Sequence, residues 1–193
     1  FSPGNAPQQV EVNGHRATIT NCSFKAGALT QDLLWILAAE NVTVSNSTFD
    51  TTQAGMQTGI EVDMAKAKVT DCTFNANSTD EAVDANANTD ISGSTFTGSS
   101  GIGVYVEAGK VVTIDDSSFM TLTNAVKNVG GEATITNSVI DGSTGDAIWT
   151  ASKLRMYNCT VQNTAATMWA FNLGAGTDAE VHFNNILNNT KNV

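Results

Sequence analysis

Three tryptophans, a tyrosine, four acids and a lysine recur in one phase of this chain, and together they could hold a sugar. Trp35, Tyr105, Trp149 and Trp169 offer flat faces on which a pyranose ring could stack, and Glu61, Asp63, Asp84, Glu107 and Lys127 are interleaved with them. Carboxyl groups in such a row could bond sugar hydroxyls, and two of them with different proton affinities could do acid–base work at a glycosidic bond. Glu61, Asp63 and Asp84 could also gather a hard cation such as calcium through oxygen ligands. The same pattern suits a solvated strand face whose aromatics are covered by loops or by a neighbouring molecule. No residue is assigned a catalytic role.

What must position these residues is a set of short alternating segments: Leu34-Trp35-Ile36, Ile60-Glu61-Val62, Ala82-Val83-Asp84, Val104-Tyr105-Val106, Ala125-Val126-Lys127, Ile148-Trp149 and Met168-Trp169-Ala170. Apolar and polar positions alternate, as in strands with one buried face. The stretch from Leu29 to Glu40 fits this set as a strand, with a helix as the alternative.

Each segment follows a second, stricter phrase: an aliphatic residue, then Asn or Asp two positions on, then Cys or Ser, then a large apolar residue. It begins at Ile19, Val44, Val69, Ile91, Ile114, Ile135 and Met156, with a frayed copy at Phe183, giving spacings of 25, 25, 22, 23, 21, 21 and 27 residues. Repeats of this length indicate a solenoid, and two or three short strands per repeat joined by Gly, Asn, Ser and Thr indicate a parallel β-helix. The expected fold is all-β, a right-handed parallel β-helix of about eight rungs in one elongated domain. Residues 1–14 read as an extended lead-in, 15–188 as the coil and 189–193 as a tail.

Stacking places equivalent residues in columns. Phe24, Phe49, Phe74, Phe96 and Phe119, continued by Ile140 and Val161, form an internal stack. Asn21, Asn46, Asp71, Asp116, Asn137, Asn158 and Asn185 share a turn position, read here as inward-pointing. Cys22, Ser47, Cys72, Ser94, Ser117, Ser138 and Cys159 follow as a row of small residues. Cys22 and Cys72 lie two rungs apart, about 9.6 Å, which exceeds the reach of a disulfide, so three buried free thiols are expected.

This pattern resembles the right-handed parallel β-helix superfamily, the architecture of pectate-lyase-like proteins and of adhesin-like and surface repeat proteins. The resemblance implies the coil and, in its enzymes, a site on one outward sheet face, but the fold alone selects no chemistry. Lyases of this kind use an outward arginine or lysine as base, and only Lys127 has that location. The Asp-Asp of the related hydrolases has its match in Asp115-Asp116, which falls on the other strand. A second face, with Thr18/Thr20, Thr43/Ser45 and Thr134/Thr136, resembles an ice-binding threonine row broken at five of eight rungs.

The net charge of -10, with nine Lys and Arg in all, argues against nucleic-acid or anionic-membrane partners. No apolar run approaches the roughly 18 residues of a membrane span. An acidic, Thr- and Asn-rich surface, and a chain opening on Phe1, suit a secreted or cell-surface setting. Asn41, Asn77 and Asn188 are the glycosylation candidates, the sequon asparagines of the turn column being read as unavailable. The expected function is an extracellular, non-catalytic structural module of filament, sheath or adhesin type. Its expected partner is another copy, end to end, or a surface polysaccharide. No cofactor is expected other than calcium. The alternative is a carbohydrate-binding or polysaccharide-degrading protein working on the tryptophan and acid face.

Overall fold

A computed structural model describes residues 8–14, 16–26, 32–37, 40–51, 58–64, 66–76 and 81–193. Its chain runs through three strands per turn, and every third strand joins the same sheet, so three parallel eight-stranded sheets enclose one core. Sheet A holds Gln8–Val12, Asp32–Ile36, Thr58–Val62, Glu81–Ala85, Ile102–Val106, Asn124–Asn128, Ile148–Thr150 and Phe171–Leu173. Sheet B runs from Thr18–Thr20 to Asp178–His182, and sheet C from Ser23–Lys25 to Asn185–Leu187. Rungs are numbered one to eight in chain order.

The first strand of sheet A lies inside the expected lead-in, and it pairs with Asp32–Ile36 through Val10↔Leu34 and Glu11↔Trp35. The segment around Leu34 is a strand, not a helix. At the other end, Lys191 bridges to Trp169, and Ala170 N and Phe171 N donate to the carbonyls of Lys191 and Asn192. The tail thus adds to sheet A beyond rung eight.

The phenylalanine column is the centre of the core. Phe24, Phe49, Phe74, Phe96 and Phe119 stack with ring centroids 4.6–4.9 Å apart and planes within 10° of parallel. Strand spacing sets that distance, so the backbone repeat imposes face-to-face stacking on side chains that elsewhere prefer an offset.

The turn between sheets B and C corrects the expectation for the asparagine column. Asn21, Asn46, Asp71, Asp116, Asn137 and Asn158 all have φ between 46° and 55°, and Gly93 fills the fourth rung at φ 57°. These residues are selected because Asn, Asp and Gly tolerate the left-handed region. Their side chains are exposed, not inward. The sequon asparagines Asn21, Asn46 and Asn158 are therefore as open to solvent as Asn41 and Asn188. Asn77 lies outside the described residues.

The next column is a hydrogen-bond ladder. Each Ser Oγ donates to the carbonyl two residues earlier and accepts the N–H of the preceding rung. Ser117 Oγ donates to Asp115 O at 2.9 Å and accepts from Ser94 N at 3.2 Å, and Ser94 and Ser138 repeat the arrangement. Cys72 and Cys159 use Sγ in the same way toward Thr70 O and Tyr157 O. All three cysteines are free thiols; Cys72 and Cys159 are buried, but Cys22 is exposed, between strands that are the edge strands of sheets B and C among the described residues.

Rung eight departs from the expected register. Val181 takes the aliphatic position, Phe183 the left-handed turn at φ 56°, Asn184 the serine position and Ile186 the core position opposite Val161. Asn184 Oδ1 accepts from Cys159 N at 2.8 Å, doing the work of a serine hydroxyl. The copy is intact and starts two residues earlier than residue-type matching placed it.

Candidate functional site

The register of sheet A aligns six of the nine candidate residues in one outward column: Trp35, Glu61, Asp84, Tyr105, Lys127 and Trp149. Glu11 precedes them and Asn172 follows. Asp63 and Glu107 lie two residues beyond Glu61 and Tyr105, where the alternation of strand side chains returns them toward the same face. Trp169 is not in the column. Rung eight begins its strand at Phe171, so Asn172 takes the place expected for Trp169, which sits in the preceding turn with Lys191 Nζ 5.1 Å from its ring centre. The turn from 163 to 170 is the cause: it is long enough to move the strand by three residues.

The upper half of the column is a bonded acid cluster. Trp35 Nε1 donates to Asp63 Oδ2 at 2.7 Å, Asn86 Nδ2 to Asp63 Oδ1 at 3.1 Å, and the same Asn86 amide to Asp84 Oδ2 at 3.3 Å. Glu61 shares hydrogen bonds with Asp32 and Asp63. Burial, then the charges of Asp32 and Asp63, push its carboxyl up to about 8, so it carries a proton at neutral pH. Asp84 is raised to about 6, first by burial and then by Glu107, against the hydrogen bond from Asn86. Its Oδ1 is buried with no hydrogen-bond partner among the described residues. In the lower half, Lys127 Nζ lies 5.4 Å from the Tyr105 ring centre, a cation–π contact that places the one lysine of the column against its one tyrosine.

Asp32 and Asn86 are parts of this cluster that the sequence reading missed. Asp32 is buried and precedes Trp35 by three residues, outside the alternation used to find the column. Asn86 has the same offset from Asp84 that Asp63 has from Glu61, and that offset was the available signal.

Each Asp63 oxygen accepts a hydrogen bond, one from Trp35 and one from Asn86, and burial with the neighbouring acids pushes the Glu61 carboxyl up. Among the described residues, no group of three or more His, Cys, Asp or Glu side chains could hold a metal ion.

The second outward face is spent on itself. Ser45 Oγ donates to Thr20 Oγ1, Thr113 Oγ1 to Asp90 Oδ1 and Thr136 Oγ1 to Asp115 Oδ1. Arg155 pairs with Asp178 at 2.7 Å and Glu180 at 3.2 Å, and Glu180 also accepts from Tyr157 OH. The pair in rung eight is Glu180 and His182, in register with Arg155 and Tyr157.

A coil of three parallel sheets with an internal aromatic stack and left-handed Asn turns defines a class, the parallel β-helix proteins. Residues 82–192 match the family model described as right handed beta helix region, and the chain belongs to that family. No curated protein and no solved structure matches it.

Proposed function

We propose that this β-helix is an extracellular, non-catalytic structural module of a cell-surface filament, sheath or adhesin. The observation that carries the reading is the continuity of axial bonding. The phenylalanine stack, the Ser/Cys ladder and the hydroxyl–carboxylate pairs of sheet B each tie one rung to the next. A rod built this way resists separation of its rungs, which is the property a spacer or fibre needs. Association between copies is part of the reading. Lys191 and Asn192 occupy the edge at Trp169 to Phe171, so a second copy would dock on the sheet B and sheet C edges of rung eight. Negative-stain electron microscopy at neutral pH tests it: rods joined end to end are the expected result, and dispersed monomers at every concentration would overturn the association.

A second reading rests on the Trp35–Asp63–Asn86–Asp84 chain. A half-buried aromatic beside carboxyls of different proton affinity is the equipment of a carbohydrate face. Binding of soluble polysaccharides that is lost in Trp149→Ala and Asp84→Ala would favour it; unchanged binding in both would remove it.

A further inference from the structure

Six asparagines of the chain head an Asn-x-Ser/Thr triplet, and five of them lie among the described residues: Asn21, Asn41, Asn46, Asn158 and Asn188. All five stand in turns, at φ between 49° and 55°, with exposed side chains. Among the described residues no hydrogen bond holds any of their amides. The hydroxyls two residues on, those of Ser23, Thr43, Thr48, Thr160 and Thr190, are equally unengaged there.

Asparagines without the triplet behave differently in the same turns. Asn137 shares the turn between sheets B and C with Asn46 and Asn158 and has the same backbone, at φ 50°, yet its amide donates to Asp115 Oδ1 at 2.8 Å. Asn163 shares the turn after sheet C with Asn188, and its amide donates to Asp141 Oδ1 at 2.8 Å. The cause lies in the preceding rung. Asp115 pairs with Thr136, next to Asn137, and Asp141 pairs with Gln162, next to Asn163. At the equivalent points before Asn46, Asn158 and Asn188 stand Thr20, Thr136 and Gln162. Thr20 accepts from Ser45, and Thr136 and Gln162 donate to Asp115 and Asp141, so no carboxylate captures these three amides.

An exposed, unheld amide nitrogen with an unheld hydroxyl two residues on is the acceptor of an asparagine-linked glycan. The co-reactant is an oligosaccharide carried on a lipid diphosphate. A bond forms from Nδ2 to the anomeric carbon, that carbon's bond to the diphosphate oxygen breaks, the diphosphate leaves with the electron pair, and Nδ2 gives one proton to the transferase. Nothing is oxidised or reduced. We propose that Asn46 and Asn158, whose turn column the sequence pattern made to look inward, carry N-linked glycans. The proposal rests on the extracellular reading, because that route supplies the donor. The two sites stand five rungs apart on one corner, about 24 Å along the axis, and leave the sheet A column clear.

The test is expression of the full chain behind a secretion signal in cultured mammalian cells. Site occupancy is read by mass spectrometry after peptide-N-glycosidase F, on secreted and cell-retained chain alike. The expected result is conversion of Asn46 and Asn158 to aspartate, with one glycan fewer in Asn46→Gln and in Asn158→Gln. The glycans should leave the thermal transition where it is in unglycosylated chain made in bacteria, since no bond is lost. Val139→Thr gives Asn137 the triplet and supplies the contrast. Asn137 should be modified less than Asn158, or its glycan should break the bond to Asp115 and lower the transition by several degrees relative to the same variant from bacteria. Full occupancy of Asn137 with an unchanged transition overturns the argument from held and unheld amides. Asn46 and Asn158 unmodified in both secreted and retained chain overturns the proposal and leaves the extracellular reading standing. Modification of a chain that is never exported supports the proposal and counts against the extracellular reading alone.

Discussion

The indole nitrogen of Trp35 and the carboxylate of Asp63, on neighbouring rungs, meet at 2.7 Å. Asp63 also holds Asn86 on the following rung, so one side chain ties three rungs of sheet A together. Asp63→Ala leaves a partly buried indole N–H and an amide without an acceptor, at a cost of about 1–3 kcal/mol. Asp63→Asn keeps an acceptor oxygen and should lose less. Urea unfolding midpoints measure the difference; an Asp63→Ala protein as stable as wild type would show that the link is dispensable.

The acid cluster makes stability depend on pH in an unusual direction. Glu61 and Asp84 have folded-state values raised to about 8 and about 6, above their ordinary values of 4.5 and 3.8. A group raised in this way binds its proton more tightly when folded, so its contribution is fully present below the ordinary value and is lost as pH climbs to the raised one. The Asp84 contribution should fade between about pH 4 and 6, and that of Glu61 between about pH 4.5 and 8. The melting temperature is expected to fall by several degrees across this window. Glu61→Gln should flatten the upper part of the profile, and a wild-type curve level from pH 5 to 8 would contradict the account.

The Ser/Cys ladder predicts which substitutions the rod tolerates. Ser117→Ala removes both the acceptor for Ser94 N and the donor to Asp115 O and should cost about 1–3 kcal/mol. Cys72→Ser should cost far less, because serine makes the same bonds in the neighbouring rungs. Thiol titration gives a second readout. Cys22 should react in the native state, while Cys72 and Cys159, buried and with thiols pushed up mainly by burial, should react only on unfolding.

The fold was legible where one physical requirement repeats. The phenylalanine column could be read because every rung needs a large apolar residue at that point, and the register of sheet A could be read as far as Trp149. What was lost had no residue-type signature. The asparagine column marks a backbone conformation, not a hydrogen-bonding need, so the reading took exposed side chains for inward ones. Trp169 was aligned with Trp149 by type, when a long turn had moved the strand to Phe171. The acid cluster was half legible: Glu61, Asp63 and Asp84 were found by alternation, but Asp32 lies three residues before Trp35, where the consecutive buried Leu33 and Leu34 break the alternation.

Rung eight supplies the clearest case of a residue at odds with its position. At the turn where the other rungs place Asn, Asp or Gly, the chain has Phe183 at φ 56°, with 88% of its surface exposed. A bulky side chain in the left-handed region costs roughly 1–2 kcal/mol, and this one recovers little by burial, since its ring contact is a tilted one with His182 at 6.3 Å. Phe183→Asn should therefore stabilise the protein by about 1 kcal/mol, a rise of a few degrees in melting temperature for a chain of this size. The reciprocal change, Asn137→Phe in rung six, should destabilise by a similar amount. If Phe183→Asn lowers stability instead, the exposed ring is covered in the molecule as it exists in solution, and crosslinking of the wild type would then capture whatever covers it.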